Sequence, residues 1–194
     1  MAFTAPQAWR DGELLLRSYQ PGDGAELNRA TQSSLEHLRP WMPWASPDTT
    51  VEDSEAFARR SRARWLLAEE WGVSVWRGGR LVASSGFMLR GRPLEDGTGE
   101  IGMWVRADEA GRGLGTRVLQ AMVDWADAAW PFRKLTWLCE RRNRASARVA
   151  EKCGFRLEGH LREHGPAVAD PTRRETTLAY GLLPTDPRPW RGGR

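Results

Sequence analysis

Cysteine is nearly missing from this chain: Cys139 and Cys153 are the only two in 194 residues. Two thiols are too few for the stapled framework of a small secreted domain, and they read as reduced core residues. Lysine is as scarce, with Lys134 and Lys152 the only two among 29 basic residues. Neither follows a glycine, so a nucleotide-triphosphate loop ending in Gly-Lys-Ser/Thr is excluded. His37, His160 and His164 have no metal-ligand spacing, and with two dispersed cysteines no metal site is expected. No stretch approaches the ~20 consecutive apolar residues of a membrane helix. The first ten residues lack a cationic start followed by an apolar run, so no secretory signal is read and the cytoplasm is the expected compartment. A G-x-S-x-G elbow is absent, which argues against a serine hydrolase. Despite a net charge of +4, no long basic run alternates with aromatics, and direct nucleic-acid binding is not expected.

What remains is ordinary for one globular domain: 40% hydrophobic and 28% charged residues in a length that fits a single core. A short apolar run from Glu13 to Tyr19 stops at Pro21-Gly22-Asp23-Gly24 and reads as a strand and turn. Helices are expected over about 25–38 and, behind a capping box at Thr49 and Glu52, over 51–70. Between them, Pro40 and Pro43 stiffen an aromatic connector. Residues 71–76 and 81–89 form a hairpin around Arg77-Gly78-Gly79-Arg80, and 100–105 is a further strand. The period then changes: Leu114, Val118, Met122 and Ala126 recur every four residues, the stripe of a helix. Strand 134–139, a short helix over 143–152 and strands 155–161 and 176–183 complete the chain. The order β-α-α-β-β-β-α-β-α-β-β implies an α/β (α+β) domain with one mixed, mostly antiparallel sheet of about seven strands and about four helices. The domain spans 13–183, with an N-terminal tail over 1–12 and a flexible, Pro- and Gly-rich C-terminal tail over 184–194.

Between the strand ending at Val105 and the helix lies Gly111-Arg112-Gly113-Leu114-Gly115-Thr116. Glycines permit positive φ and close backbone approach, while the unpaired N–H groups of a first helical turn and the helix dipole attract an anion. Arg112 adds a full charge. The loop is not the dinucleotide fingerprint, because no glycine stands at position 116.

This segment resembles motif A of the Gcn5-related N-acetyltransferases (GNAT), Q/R-x-x-G-x-G/A, with Ala110 where the family usually has Gln or Arg. Asn143-Arg144-Ala145-Ser146 and Glu151-Lys152-Cys153-Gly154-Phe155 are similar to the family's second signature, N-x-x-S followed by E-K-x-G-F. The likeness is strongest to the RimJ/RimL type, which acetylates N-termini of ribosomal proteins, and is carried also by residues 13–17, 38–44 and 100–105. It implies an N-acyltransferase using acetyl-CoA, or another acyl-CoA such as succinyl-CoA, as co-substrate and no metal. The amides of Gly111, Arg112, Gly113, Leu114, Gly115 and Thr116 would hold the pyrophosphate. Met103, Trp104 and Val105 would offer backbone groups to the pantetheine arm, with Asn143 and Ser146 beside it.

Amine acylation needs a base, since an alkylamine arrives protonated near pH 7, and the departing thiolate needs a hydrogen-bond donor. Glu100, at the start of the strand that runs into the loop, is the candidate base. Many relatives place a Tyr seven residues after the motif Asn as the donor; Ala150 stands there, so Ser146 is the candidate. Trp41, Met42 and Trp44, with the segment 160–177 between the last strands, are candidates to wall the acceptor. The acceptor itself stays open: a ribosomal protein N-terminus, another peptide or a small amine, bound by a monomer or homodimer. A non-catalytic acyl-CoA sensor is the alternative of another class.

Overall fold

The computed structural model describes residues 3–193. Its strands are β1 (Ala8–Asp11), β2 (Leu14–Ser18), β3 (Trp71–Arg77), β4 (Arg80–Met88), β5 (Thr98–Val105), β6 (Lys134–Glu140), β7 (Arg156–Ala167) and β8 (Asp170–Leu182). Helices α1 (Gly24–Gln32), α2 (Leu35–Leu38) and α3 (Val51–Leu66) precede β3, α4 (Leu114–Ala129) follows β5, and α5 (Arg144–Lys152) follows β6. The eight strands form one sheet in the order β1-β2-β3-β4-β5-β6-β8-β7. Every neighbouring pair is antiparallel except β5 with β6. A parallel pair needs a crossover, and α4 supplies it.

Alternation along the strands sets the two faces. On β2, Leu14 and Leu16 are fully buried while Leu15 and Arg17 are partly exposed, the period-two pattern of a strand packed on one side. Ile101, Val118, Leu119, Met122 and Trp125 belong to the larger core cluster around α4. Tyr19, Leu27, Ala30, Ala58 and Leu81 form a smaller one, which joins α1 and α3 to the opposite side. On β5 the same alternation separates Met103 and Val105, packed against the larger cluster, from Trp104, packed against the smaller.

Four differences from the sequence expectation concern the N-terminal half and the C-terminal end. β1 lies within the expected N-terminal tail and pairs with β2 from Ala8↔Arg17 to Asp11↔Leu14. Its four residues carry no apolar alternation, so only the partner strand reveals it. The first helix stops at Gln32, and α2 is a separate single turn after Ser33 and Ser34. The capping box of α3 is Thr50 with Asp53: the Thr50 hydroxyl accepts from Asp53 N–H at 3.1 Å, and the Asp53 carboxylate accepts from Thr50 N–H at 3.0 Å. Thr49 and Glu52 have the same spacing one residue earlier, so the pattern alone does not choose between them.

The fourth difference is the C-terminal segment, expected as a flexible tail. Arg188 makes a two-point ion pair with Asp127, at 3.0 and 3.1 Å, and Arg191 binds Asp124 at 2.6 Å. Trp190 donates its indole N–H to Asp124 at 3.1 Å. The tail is therefore strapped to α4 by partners more than 60 residues away, which composition cannot show. It also closes on Gly154, whose φ is +76° and where an added Cβ would stand 2.5 Å from the Pro187 carbonyl oxygen. Left-handed backbone and that clash together predict that Gly154→Ala lowers stability by about 2–4 kcal/mol. Chemical denaturation measures this, and an unchanged midpoint would mean the strap does not press on this turn.

Candidate active site

β5 and β6 pair over only three positions, Thr98↔Lys134 to Glu100↔Thr136. β5 then continues to Val105 along β4, and β6 continues to Glu140 along β8. The facing edges from residue 101 on β5 and from residue 137 on β6 are thus unpaired with each other. An open edge presents backbone N–H and C=O groups to whatever extended chain enters the split.

At the end of β5 stands the N-terminus of α4. Gly113 is its N-cap, with φ +85°, and no side chain caps the helix. Its first turn holds no acidic residue. The amides of Leu114, Gly115 and Thr116 precede the first helical bond, Arg117 N–H to Gly113 C=O at 3.1 Å, and so point out of the helix without an intrahelical partner. A Cβ added at Gly111 or Gly113 would meet nothing within 4 Å. That empty space over uncapped amides suits an anionic group such as phosphate.

The split opens into a cavity of about 1360 Å³. Of the residues expected to hold the donor, Met103, Trp104, Val105, Gly111, Gly113, Gly115, Thr116, Asn143 and Ser146 line it. Arg112 is exposed and does not line the cavity. Leu114 turns its side chain into the core, being 5% exposed, so only its backbone can serve. Trp41, Met42 and Trp44 line the cavity as well. Trp44 packs on Trp104 with ring centroids 6.1 Å apart. Trp41 lies under the Arg142 guanidinium at 5.0 Å, so the connector is anchored to the strand on one side and to the β6–α5 turn on the other. The segment 160–177, expected as a loop, is instead most of the β7–β8 hairpin, with His164, Val168 and Thr177 reaching the cavity.

Two side chains carry the candidate chemistry. Glu100 lines the cavity with its side chain 12% exposed, and its Oε1 accepts from Arg90 Nη2 at 2.6 Å and Nε at 3.1 Å. Arg90 follows β4 and was not legible from β5 alone; its guanidinium is held more firmly charged, chiefly by the hydrogen bond to Glu100. On α5, Asn143 caps the helix by accepting from Ser146 N–H at 3.1 Å. The Ser146 hydroxyl oxygen accepts from the Trp137 indole N–H at 3.0 Å. Beside it, burial pushes the Cys139 thiol up, a hydrogen bond with Ser146 pulls it partly back, and the charge of Glu151 raises it. With Trp137 occupying an acceptor site, the Ser146 proton is free to be offered into the cavity or to Cys139. Trp137 was not among the candidates read from the sequence, although Leu135, Trp137 and Cys139 alternate on one face of β6.

An α/β domain whose sheet splits beside an uncapped helix N-terminus is built to hold an extended, phosphate-bearing ligand in the split. Residues 13–156 match the acetyltransferase (GNAT) domain, and the chain belongs to that family. It is similar to an L-methionine sulfoximine/L-methionine sulfone acetyltransferase of Pseudomonas aeruginosa, 33% identical over 98 residues, 50% of this chain and 54% of that protein. The chain thus spans about half the length of the curated relatives it matches. Among solved structures, the ribosomal-protein-S5-alanine acetyltransferase of Vibrio fischeri is 17% identical, with 93% of this chain and 98% of that one covered at a TM-score of 0.80. The microcin C7 self-immunity acetyltransferase MccE, solved with acetyl-CoA and AMP, is 18% identical over 89% of this chain and 93% of its own, at a TM-score of 0.79. At such identities these likenesses establish the fold. Among the described residues no helix is long and apolar enough to cross a membrane, and no cluster of three metal-ligating side chains occurs.

Proposed function

We propose that this protein transfers an acetyl group from acetyl-CoA to a primary amine by direct attack within a ternary complex. The observation that carries the proposal is the β5–β6 split ending at the uncapped N-terminus of α4. The donor's pyrophosphate takes the amides of 111–116, and its pantetheine amides pair with the free edge of β5 at Met103, Trp104 and Val105, beside Asn143. A volume of about 1360 Å³ exceeds the ~300–1,000 Å³ of common ligand pockets, leaving room for the acceptor beyond the thioester. The structural neighbour that holds acetyl-CoA and the relative named for acetylating a methionine analogue support the same reading.

In this reading the acceptor enters beside Trp41, Met42 and Trp44. Glu100, through water, takes the proton that the ammonium must lose; the neutral nitrogen attacks the thioester carbon; the C–S bond breaks, the thiolate leaves hydrogen-bonded to Ser146, and the second proton shed by the nitrogen converts it to the free thiol. Removing that donor by Ser146→Ala lowers turnover about tenfold or more while donor affinity stays near wild type. Trp137→Phe keeps the hydroxyl but frees its orientation, and should lower turnover by a smaller factor. Steady-state rates with CoA affinity from calorimetry separate the two effects, and equal turnover in all three proteins would return Ser146 to a structural role.

The proposal is tested by offering acetyl-CoA and succinyl-CoA with one amine and following thiol release. Acetyl-CoA should give the higher rate. Faster release from succinyl-CoA would reassign the acyl group, and tight CoA binding without release from either would make the protein a sensor.

A further inference from the structure

A second depression, of about 490 Å³, adjoins the cleft across Arg142, which covers Trp41, and no residue lines both. Four arginines border it: Arg141 and Arg142 from the β6–α5 turn, Arg144 from the first position of α5, and Arg173 from β8 near the hairpin tip. Only Arg142 is committed. It binds Glu140 at 2.6 Å, donates to the Pro40 carbonyl at 3.2 Å and covers Trp41. Among the described residues the exposed side chains of Arg141, Arg144 and Arg173 make neither a hydrogen bond nor an ion pair. Three exposed guanidinium groups, of which Arg173 also feels the charge of Asp170, border one concave surface; they repel each other and attract an anion, and their fork geometry fits carboxylates two bonds at a time.

The place of the depression decides what kind of anion. The wall between it and the cleft is the Trp41–Arg142–Glu140 stack, and Glu140 also accepts from Val168 N–H at 3.0 Å, fixing the hairpin to the same wall. A chain whose end lies beside Trp41 in the cleft passes over this wall and continues across the arginines. Asp170 and Glu175 border the same depression. Asp170 already accepts from Thr172 and Glu175 stands 4.0 Å from Arg142, and the two carboxylates disfavour a continuous run of phosphates. No free aromatic ring lines it for base stacking.

We infer that Arg141, Arg144 and Arg173 form a docking site for an acidic stretch of a polypeptide acceptor, a few residues beyond the amine being acetylated. The inference rests on the proposed acetyl transfer and names its acceptor class. Exposed charge pairs are individually weak, so three of them give about a tenfold effect, expressed in KM and reduced by salt.

The test uses two labelled peptides that share their first residues and then carry either a run of Asp and Glu or a run of Ser and Asn. They are offered to wild type and to the triple variant Arg141→Ser/Arg144→Ser/Arg173→Ser, with a small amine and CoA as controls. The acidic peptide should show about tenfold higher kcat/KM than the neutral one at low salt in the wild type. The variant should lose that preference with unchanged small-amine turnover and CoA affinity. Equal rates for the two peptides in the wild type, or a preference that survives in the variant, would overturn the docking site. Loss of CoA affinity in the variant would assign the arginines to the donor instead. An RNA oligonucleotide that binds wild type more tightly than the acidic peptide, and not the variant, would assign them to nucleic acid. Fluorescence anisotropy reads peptide binding without catalysis, so salt-sensitive binding of the acidic peptide, lost in the variant, supports the site even if no acetyl transfer occurs.

Discussion

Gly113→Val is expected to raise the dissociation constant for CoA by about 100-fold or more while leaving a folded protein. Two effects combine. The new side chain projects into the space over the α4 amides, where an added Cβ meets no atom of the chain within 4 Å, and so occupies the ligand's place and not the core's. It also asks a β-branched residue to hold φ +85°, a conformation that costs about 1–2 kcal/mol even for simpler side chains and rotates the N-cap if it is avoided. Hydrogen bonds from backbone N–H to a charged phosphate contribute about 1.5–3 kcal/mol each, so losing one or two gives the stated change. Calorimetric titration with CoA measures it, alongside circular dichroism and a melting curve. Wild-type affinity in a folded Gly113→Val protein would remove the phosphate cradle from the account. Gly113→Ala, with the same backbone demand and a smaller side chain, should fall between the two.

The second large effect is at Glu100. Glu100→Gln keeps an oxygen for Arg90 but cannot take a proton, and turnover near pH 7 should fall about 10²–10⁴-fold, the range for general-base catalysis. The loss should shrink as pH rises. An α-amine titrates near 7.7–8.0 and a lysine-like amine near 10.4, so above those values the nucleophile arrives neutral and the base has less to do. If Glu100 serves only to anchor Arg90, which it binds at 2.6 Å, the variant and wild type should show parallel pH–rate profiles. That parallel would place the base elsewhere. The profiles must be measured with the same acceptor, since the acceptor's own titration shapes both.

The local geometry of the glycine loop and of the α5 N-terminus was legible because each is set by near neighbours in sequence. The glycines, the helix start and Asn143 with Ser146 each lie within one turn or one strand–helix junction, where spacing dictates geometry. Asn143 shows this: it caps α5 by accepting from the Ser146 N–H three residues on. The surroundings of Glu100 and Ser146 were not legible because their partners lie on other elements. Arg90 reaches Glu100 from the end of β4, and the Trp137 indole reaches Ser146 from β6 to α5; neither pairing follows a helical or strand period. The hairpin of β7 and β8 was cut short in the sequence reading for another reason. Most of β7 is exposed, as is the first part of β8, so no apolar alternation marks them, and Gly165 and Pro166 look like a break. Arg188, Trp190 and Arg191 likewise read as linker until Asp124 and Asp127 are brought beside them.

The measurement closest to the central claim is a single reaction in which released thiol and acetylated amine are both counted. The protein is incubated with acetyl-CoA and a panel of small amines and peptides with free N-termini, thiol is titrated, and products are identified by mass. Acetyl transfer in the β5–β6 split predicts thiol and acetylated amine in equal amounts with at least one acceptor, and neither from Gly113→Val at the same donor concentration. Tight binding of acetyl-CoA without thiol release in the presence of any amine, or full activity in folded Gly113→Val, would contradict it.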